Sequence, residues 1–566
     1  MKKFLIPFLL LLLTLLSLTA CNQAGNNGNE TEIVSITKTS TNGPVDTYTV
    51  LLADGTSISF EVLSGTDDKS VYELYCITYG YTGSESKWLR ALAKGKLPTV
   101  INYTVTFEPG TGGEAYTQMV RLGEKTASPE PPKRLGYTFL GWYYTNEEIT
   151  EKWNFSENVI TEDITLTAKW DYATYELPIV NIDTAGTVNS KIEYTDMIFS
   201  IENCDGELNG ISGGIRLRGN TTMKLPKKPY RIKFDKKQSL FGLDKAKSWV
   251  LLADYLDPSA LHNYTAFNLA SEMDGLSFTP TPHKVNVYMN GEYAGLYTLC
   301  EQVQENEGRM DIELDEITED MVDLKQFNFF IAMDHSVRLD TDAIPNETYF
   351  YIEEYDRYFE VKYPEKEQFT SEEQFRSFME QLKAYIVEMW EAFESYDLEK
   401  IKAEANVDSL IDFLIIDFIM GENDHTNKSF NMYYTNTSND PRENGKLNFG
   451  PIWDYDLALN THYTGTPNEN FEYNPRINYS NVYFKAVAGI PELFELLKDR
   501  YNNHAVYVLE EYMAEIDTIV SAMDESLNLN QELWYSEIRD DLTYKNIVFL
   551  KDFLRQRKSQ LDKLWA

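Results

Sequence analysis

The chain has 566 residues, 43% of them apolar, enough for several domains with cores of their own at about 100–200 residues each. It carries 89 acidic against 51 basic residues, a net charge of −38. Such a balance repels a phosphate backbone and excludes a general nucleic-acid binder, and it makes any basic cluster conspicuous.

Residues 1–20 read as a targeting segment. Lys2 and Lys3 precede the apolar run Phe4 to Leu16, and Leu18-Thr19-Ala20-Cys21 closes it with small residues before a cysteine. That ending resembles a bacterial lipoprotein lipobox. The resemblance implies cleavage before Cys21, lipid on its thiol, and anchoring to the outer side of the cell membrane. No later apolar stretch reaches the roughly 20 residues needed to span a bilayer. The other cysteines, Cys76, Cys204 and Cys300, are far apart, odd in number and without metal-ligand spacing, so buried free thiols are expected.

Residues 21–32 are a polar, Gly/Asn-rich tether. A small β-rich module is expected over 33–100. Ile33 to Thr37, Thr47 to Leu52 and Ser57 to Val62 alternate as a meander, and Ser84 or Ser86 can cap a short helix bearing Trp88, Leu89 and Leu92. Residues 101–172 contain YTVTFEPGTGG, the aromatic stretch Gly136 to Tyr144, and a closing strand Ile164 to Trp170. This segment resembles a Listeria–Bacteroides (internalin B-type) repeat, which implies a β-rich surface spacer or adhesion module.

From about residue 175 the character changes. Ile215 to Arg218 and Tyr230 to Phe234 alternate around the polar turn Gly219-Asn220-Thr221-Thr222. They predict a hairpin whose basic residues are Arg216, Arg218, Lys224, Lys227, Lys228, Arg231 and Lys233. A cationic strand pair with a turn of free amides suits a polyphosphate. Trp249 to Ala253 reads as a buried strand, and Asp257-Pro258 as the start of a helix running to Met273. His283 to Met289 and Tyr293 to Leu299 form a hairpin about Asn290-Gly291, which delivers Glu301 to an exit segment. The acidic stretch 305–323 reads as a solvated linker. Ser371 to Glu394, 493–516 and 530–564 have helical apolar spacing.

Residues 407–460 complete the pattern. An apolar helix runs into Asn423-Asp424, a short strand Phe430 to Tyr434 follows, and a second strand, Lys446 to Phe449, leads to Trp453-Asp454-Tyr455-Asp456. Two acidic turns joined by a hairpin can converge on one divalent cation, the arrangement protein kinases use. Asp is also common in turns that do nothing else.

Taken together, Arg218-Gly-Asn-Thr-Thr222, Lys227-Lys-Pro-Tyr-Arg-Ile-Lys233, Trp249-Val-Leu-Leu-Ala253, Val287-Tyr-Met-Asn-Gly-Glu-Tyr-Ala-Gly-Leu-Tyr297, Asn423-Asp424 and Pro451-Ile-Trp-Asp-Tyr-Asp456 resemble the CotH family, spore-coat-type atypical protein kinases. The resemblance implies a multidomain chain: small β-rich modules, then an α+β, two-lobed kinase-like domain over 175–566, with an N-lobe of about 175–304 and a C-lobe of about 324–566. It also implies transfer of phosphate from ATP, with Mg2+ or Mn2+, to Ser or Thr of a surface or secreted protein. Asp424 matches the catalytic acid that orients the acceptor hydroxyl. Asp454 matches the metal-binding acid, with Asp456 as a second ligand. Arg218 and Asn220 lie at the nucleotide cover, Lys228 or Lys233 would neutralise phosphates, and Glu301 or its neighbours would form the hinge. The metal-ligand position five residues after Asp424 is Asn in many members and Ser429 here, flanked by Asn427 and Asn431; Ser429 and Asn431 are the oxygen donors placed beside the two acids. The alternative is a kinase fold that binds or adheres without turnover. A glycosidase using Asp424 and Asp454 as its acid pair leaves the basic hairpin unexplained.

Overall fold

A computed structural model describes residues 32–42, 45–63, 69–96, 101–146, 149–173, 176–334, 346–422, 424–426, 428–459, 481–538 and 541–566. Cys21, Asn423 and Asn427 lie outside the described residues. The chain divides into two compact units, one within the first 171 residues and the other containing Leu135–Thr138 and Tyr172–Ala566.

In the first unit the alternating runs form a meander of strands β1 (Ile33–Asn42), β2 (Val45–Leu52) and β3 (Ser57–Leu63). Their inward residues Val50, Phe60 and Val62 pack on Leu74, Tyr75, Trp88 and Leu92 of two helices, Val71–Tyr79 and Glu85–Ala93. The first of these helices is made of β-branched and aromatic residues that read poorly as helix. Its ends decide it: Ser70 and Glu73 form a reciprocal capping box, and Gly80 closes it in the left-handed conformation. At the second helix Ser84 is the N-cap, but its hydroxyl pairs with Ser86 rather than with a helix amide. Strands β4 (Asn102–Glu108), β5 (Tyr116–Arg121), β6 (Tyr137–Thr145), β7 (Thr150–Lys152) and β8 (Ile164–Tyr172) form one sheet in the order β5-β4-β8-β6-β7. Val105, Phe107, Trp142 and Leu166 are its core.

The second unit opens with a closed barrel. Strands β9 (Ile179–Thr184), β10 (Thr195–Glu202), β11 (Leu208–Leu217), β12 (Tyr230–Gln238), β13 (Ala246–Leu252), β14 (His283–Met289) and β15 (Glu292–Glu301) close in the order β10-β11-β12-β13-β15-β14-β9. The expected hairpins are present. Closure comes from the parallel pairing of β9 with β14, a long-range contact with no local sequence signal. Ile215, Ile232, Phe234, Trp249, Leu251, Val285 and Val287 fill the interior. Period-two alternation then turns Arg216, Arg231, Val250 and Cys300 outward, in register across β11, β12, β13 and β15.

The helix after β13 begins later than Asp257-Pro258 suggests, at His262, and runs to Ser271. Asp257 instead ties a preceding turn, accepting the amides of Ser259, Leu261 and His262 at 3.0, 2.6 and 2.7 Å. Within that turn Asp254 and Ala260 take left-handed backbone conformations, φ 49° and 55°.

A second sheet follows, antiparallel throughout, in the order β17-β18-β16-β19-β20. It comprises β16 (Phe329–Asp334), β17 (Tyr349–Ile352), β18 (Arg357–Tyr363), β19 (Phe430–Thr435) and β20 (Lys446–Phe449). Helices Glu372–Ser395, Leu398–Glu404 and Val407–Met420 lie between β18 and β19 in the chain, the first where the helical spacing placed it and capped by Ser371. The helical spacing of 493–516 resolves into Pro491–Arg500 and Val506–Ala522 around a π turn, and that of 530–564 into the end of Asp524–Trp534 and all of Leu542–Leu564. Val250, Leu252, Leu296 and Cys300 on the barrel's outside share one core with Phe267, Ile411, Phe430 and Leu554. The 305–323 segment is not a solvated linker: Met310, Ile312 and Ile317 are buried, the first two against Val303, Phe330 and Tyr363. All three described cysteines are free; Cys300 is buried, whereas Cys76 and Cys204 are only half-buried.

Candidate functional site

Helix Val407–Met420 is stopped by Gly421, whose φ of 62° suits glycine and whose added Cβ would stand 2.8 Å from Phe553. The chain emerges through buried Glu422 into the one-turn element Asp424–Thr426. The Asp424 amide donates to Glu422 Oε1 at 2.5 Å, and its carboxylate, about a quarter exposed, pairs with Lys428 at 2.6 Å. Ser429 is left-handed (φ 55°) and its hydroxyl donates to Asp454 Oδ2 at 2.8 Å; Asp454 is itself left-handed (φ 72°). The β19–β20 hairpin therefore joins Ser429 to Asp454 directly. Backbone strain of this kind clusters where side chains must be aimed.

Asp456 is held from the other side. Asn263 of the helix after β13 donates to its carboxylate, accepts the Tyr455 amide at 3.0 Å, and also donates to buried Asp254 at 3.1 Å. Burial, with Asp454 and Asp254 nearby, pushes the Asp456 carboxyl well above its ordinary value. Arg218 lies over the Trp453 ring, 4.9 Å from its centroid; burial lowers its guanidinium, while Asp454 and Asp456 pull it the other way. Arg218, Ser429, Asp454 and Asp456 are thus brought together.

The remaining expected residues have other partners. Asn431 is buried, donates to the Pro451 carbonyl at 2.9 Å and receives Lys362 at 3.3 Å, so it fixes the hairpin's exit rather than presenting a free oxygen. Asn220 accepts from Lys191. Lys228 is directed to the Leu225 carbonyl at 2.5 Å. Lys233 is exposed on β12, on the same face as Arg231, opposite Ser248. Glu301 is buried and its carboxylate accepts the Thr281 amide at 2.8 Å, at the end of the barrel. Among the described residues, no three His, Cys, Asp or Glu side chains gather into a metal cluster.

Several buried groups have no motif to announce them. Lys284 pairs with Asp254 at 3.0 Å and bonds Thr298 at 2.6 Å; although burial raises the Asp254 carboxyl, Lys284 and Thr298 hold it below its ordinary value. Lys227, not Lys228, is the buried lysine of the hairpin, bound to Asn530 at 3.0 Å and pushed down to about 7 by burial. Arg231 reaches Gln304 at 3.1 Å and Ser248 at 3.3 Å. The one available signal was the strict alternation of β12 and β14, which puts Arg231, Lys284 and Asn286 on faces that tertiary packing then covers.

Glu422 yields a pH prediction. Burial pushes its carboxyl up to about 8, with Asp424 and Asp417 adding to the rise against His425. The native state therefore holds a proton that the unfolded chain has released, so this group's contribution is greatest below about pH 4.5 and is lost as pH rises through 8. Glu422→Gln should gain stability relative to wild type between about pH 5 and pH 9, by on the order of a few kcal/mol. Denaturant unfolding at the two pH values measures it; a pH-independent difference contradicts it.

Comparison with known proteins agrees with this organisation. A model of the Listeria-Bacteroides repeat domain matches residues 103–169. Two proteins of Evansella cellulosilytica, named "Putative membrane protein" and "Putative Gly-rich membrane protein", are 38% identical over 73 residues and 36% identical over 75. Each match covers 13% of this chain and only 11% and 9% of those relatives. The family model described as CotH kinase protein matches residues 215–561, more than half of the chain and the whole of the site above. The chain belongs to the CotH kinase protein family.

Proposed function

We propose that the protein is an exported, lipid-anchored kinase that transfers the γ-phosphate of ATP to Ser or Thr of a surface or secreted protein. The barrel acts as its N-lobe and the helices with the second sheet as its C-lobe. The observation that carries this reading is the convergence of Arg218, Ser429, Asp454 and Asp456 beside the Asp424 turn. Asp456 cannot comfortably hold its charge next to Asp454 without a proton or a cation. Two carboxylates and a hydroxyl suit Mg2+, which commonly takes one or two protein carboxylates and completes its shell with phosphate and water. Asp454 and Asp456, with Ser429, would hold the ion, which when bound supplies neutralisation of phosphate charge. Arg218, oriented on Trp453, adds a fixed positive charge beside the same acids. Asp424 opens its pair with Lys428 to orient the acceptor hydroxyl and take its proton. The test is transfer of label from γ-labelled ATP to Ser or Thr of an acceptor protein with Mg2+ or Mn2+; no hydroxyl labelling under either metal refutes it.

A second reading, a binder without turnover, has one observation in its favour: Ser429 donates to Asp454 where the family resemblance implies an Asn ligand. ATP binding without transfer would establish it.

The lipobox at Cys21 supports the anchor, and the Evansella relatives are named as membrane proteins. Among the described residues no helix is long and apolar enough to cross a membrane. Cys21→Ser should move the protein from the detergent phase to the aqueous phase and abolish labelling by a fatty-acid probe; retention in the membrane fraction contradicts lipidation as the anchor.

A further inference from the structure

Any use of the two acidic turns together requires that they be held in register, and one histidine spans them. His425 sits in the Asp424–Thr426 turn with a side chain only 1% exposed. Its Nδ1 is 2.8 Å from Asp417 Oδ1, on helix Val407–Met420, and its Nε2 is 2.7 Å from the Trp453 backbone carbonyl. A carboxylate and a carbonyl only accept, so both ring nitrogens must donate, and the ring is an imidazolium. Asp417 Oδ1 also receives the Tyr455 hydroxyl at 2.7 Å, which binds the residue after Asp454 to the same carboxylate. Phe413 and Tyr455 meet the ring edge-on at 5.3 and 5.1 Å, and Asn481 donates to the His425 carbonyl at 3.1 Å. Little freedom remains to the imidazole.

We propose that His425 is a positioning residue, a fixed buried imidazolium that ties the catalytic turn to the metal-binding turn. Anchored on Asp417, it grips the carbonyl of Trp453 and so sets the left-handed backbone of the next residue, Asp454, and the ring on which Arg218 lies. Burial works against the charge, but Asp417, Glu422 and the Trp453 carbonyl outweigh it and lift the group to about 10. The clamp rests on the kinase reading for its purpose; its chemistry can be judged separately.

Two measurements test it. Nitrogen NMR of the full chain, labelled at its six histidines, should show at pH 8 a ring carrying both N–H protons whose signal disappears in His425→Gln, which separates it from His262, whose Nε2 is 3.4 Å from Asp257 and whose Nδ1 is 3.2 Å from the Asp456 carbonyl. A spectrum in which the His425 ring is neutral at that pH overturns the clamp, whatever the protein binds. The second measurement is the Mg2+ concentration needed for ATP binding. In His425→Gln, whose amide can reach only one acceptor at a time, it should rise 10- to 100-fold, the range for groups that orient metal ligands. His283→Gln, at a half-buried histidine stacked on Phe241 at 3.8 Å, should leave it unchanged. An unaltered Mg2+ requirement in a folded His425→Gln overturns the proposal. Should wild type bind no nucleotide, the kinase reading falls and the ring's protonation state still decides the clamp.

Discussion

Asp424→Ala is expected to abolish phosphate transfer while leaving ATP binding within a few-fold of wild type. The carboxylate is partly exposed, and its side chain's partner is Lys428, four residues on. Such a surface pair contributes about 0–1 kcal/mol, so the fold should survive its loss. The Arg218, Asp454 and Asp456 cluster makes no use of the Asp424 side chain, so nucleotide and metal should still be held. Only the acceptor hydroxyl loses its partner, and removal of a positioned general base costs about 10²- to 10⁴-fold in rate. Transfer assays beside ATP titrations separate the two effects. Equal loss of binding would place Asp424 in the metal site, and unchanged transfer would remove it from the reaction.

Lys284→Met should destabilise the fold far more than Asp424→Ala does. The ammonium and the Asp254 carboxylate are almost fully enclosed, with side chains 3% and 1% exposed. Methionine fills similar space but leaves Asp254 with Thr298 and Asn263 as its hydrogen-bonding support. Breaking a buried pair from one side costs about 3–5 kcal/mol because a charge is stranded. Asn263 also bridges to Asp456, so the damage should spread to the Asp454–Asp456 turn. Removing both charges, as Lys284→Met with Asp254→Leu, should recover much of the stability. Denaturant unfolding tests this, and a loss below about 1 kcal/mol for Lys284→Met would show that the pair is not energetically isolated from water.

Much of this organisation can be read from local pattern. Alternation over Ile215 to Arg218 and Tyr230 to Phe234, the Asn290-Gly291 turn and the helical spacing after Ser371 each mark an element that formed where expected. The two acidic turns were legible because each ends an apolar element, whereas Ser429 stood out only through the family resemblance, which implies Asn at its position. What escaped was long-range. The β9–β14 pairing that closes the barrel joins segments about a hundred residues apart, and no short window encodes it. Choosing among the hairpin cations required knowing which strand face is covered. Lys233 shares a face with Arg231 but remains exposed, while Lys227 outside the strand is buried by Asn530 from near the other end of the chain. That the Glu301 carboxylate is taken up by Thr281, twenty residues earlier, was likewise beyond any short window. The part His425 plays could not be read locally, because its partners, Asp417 and Trp453, lie on two different elements.

The central claim is that Arg218, Asp454 and Asp456 serve one nucleotide–metal complex. Calorimetric titration of the full chain with ATP, with Mg2+ and with chelator, measures it most directly. Saturable binding that needs Mg2+ and falls at least tenfold in Asp454→Ala is the predicted result; equal affinity with chelator, or in Asp454→Ala, would contradict it.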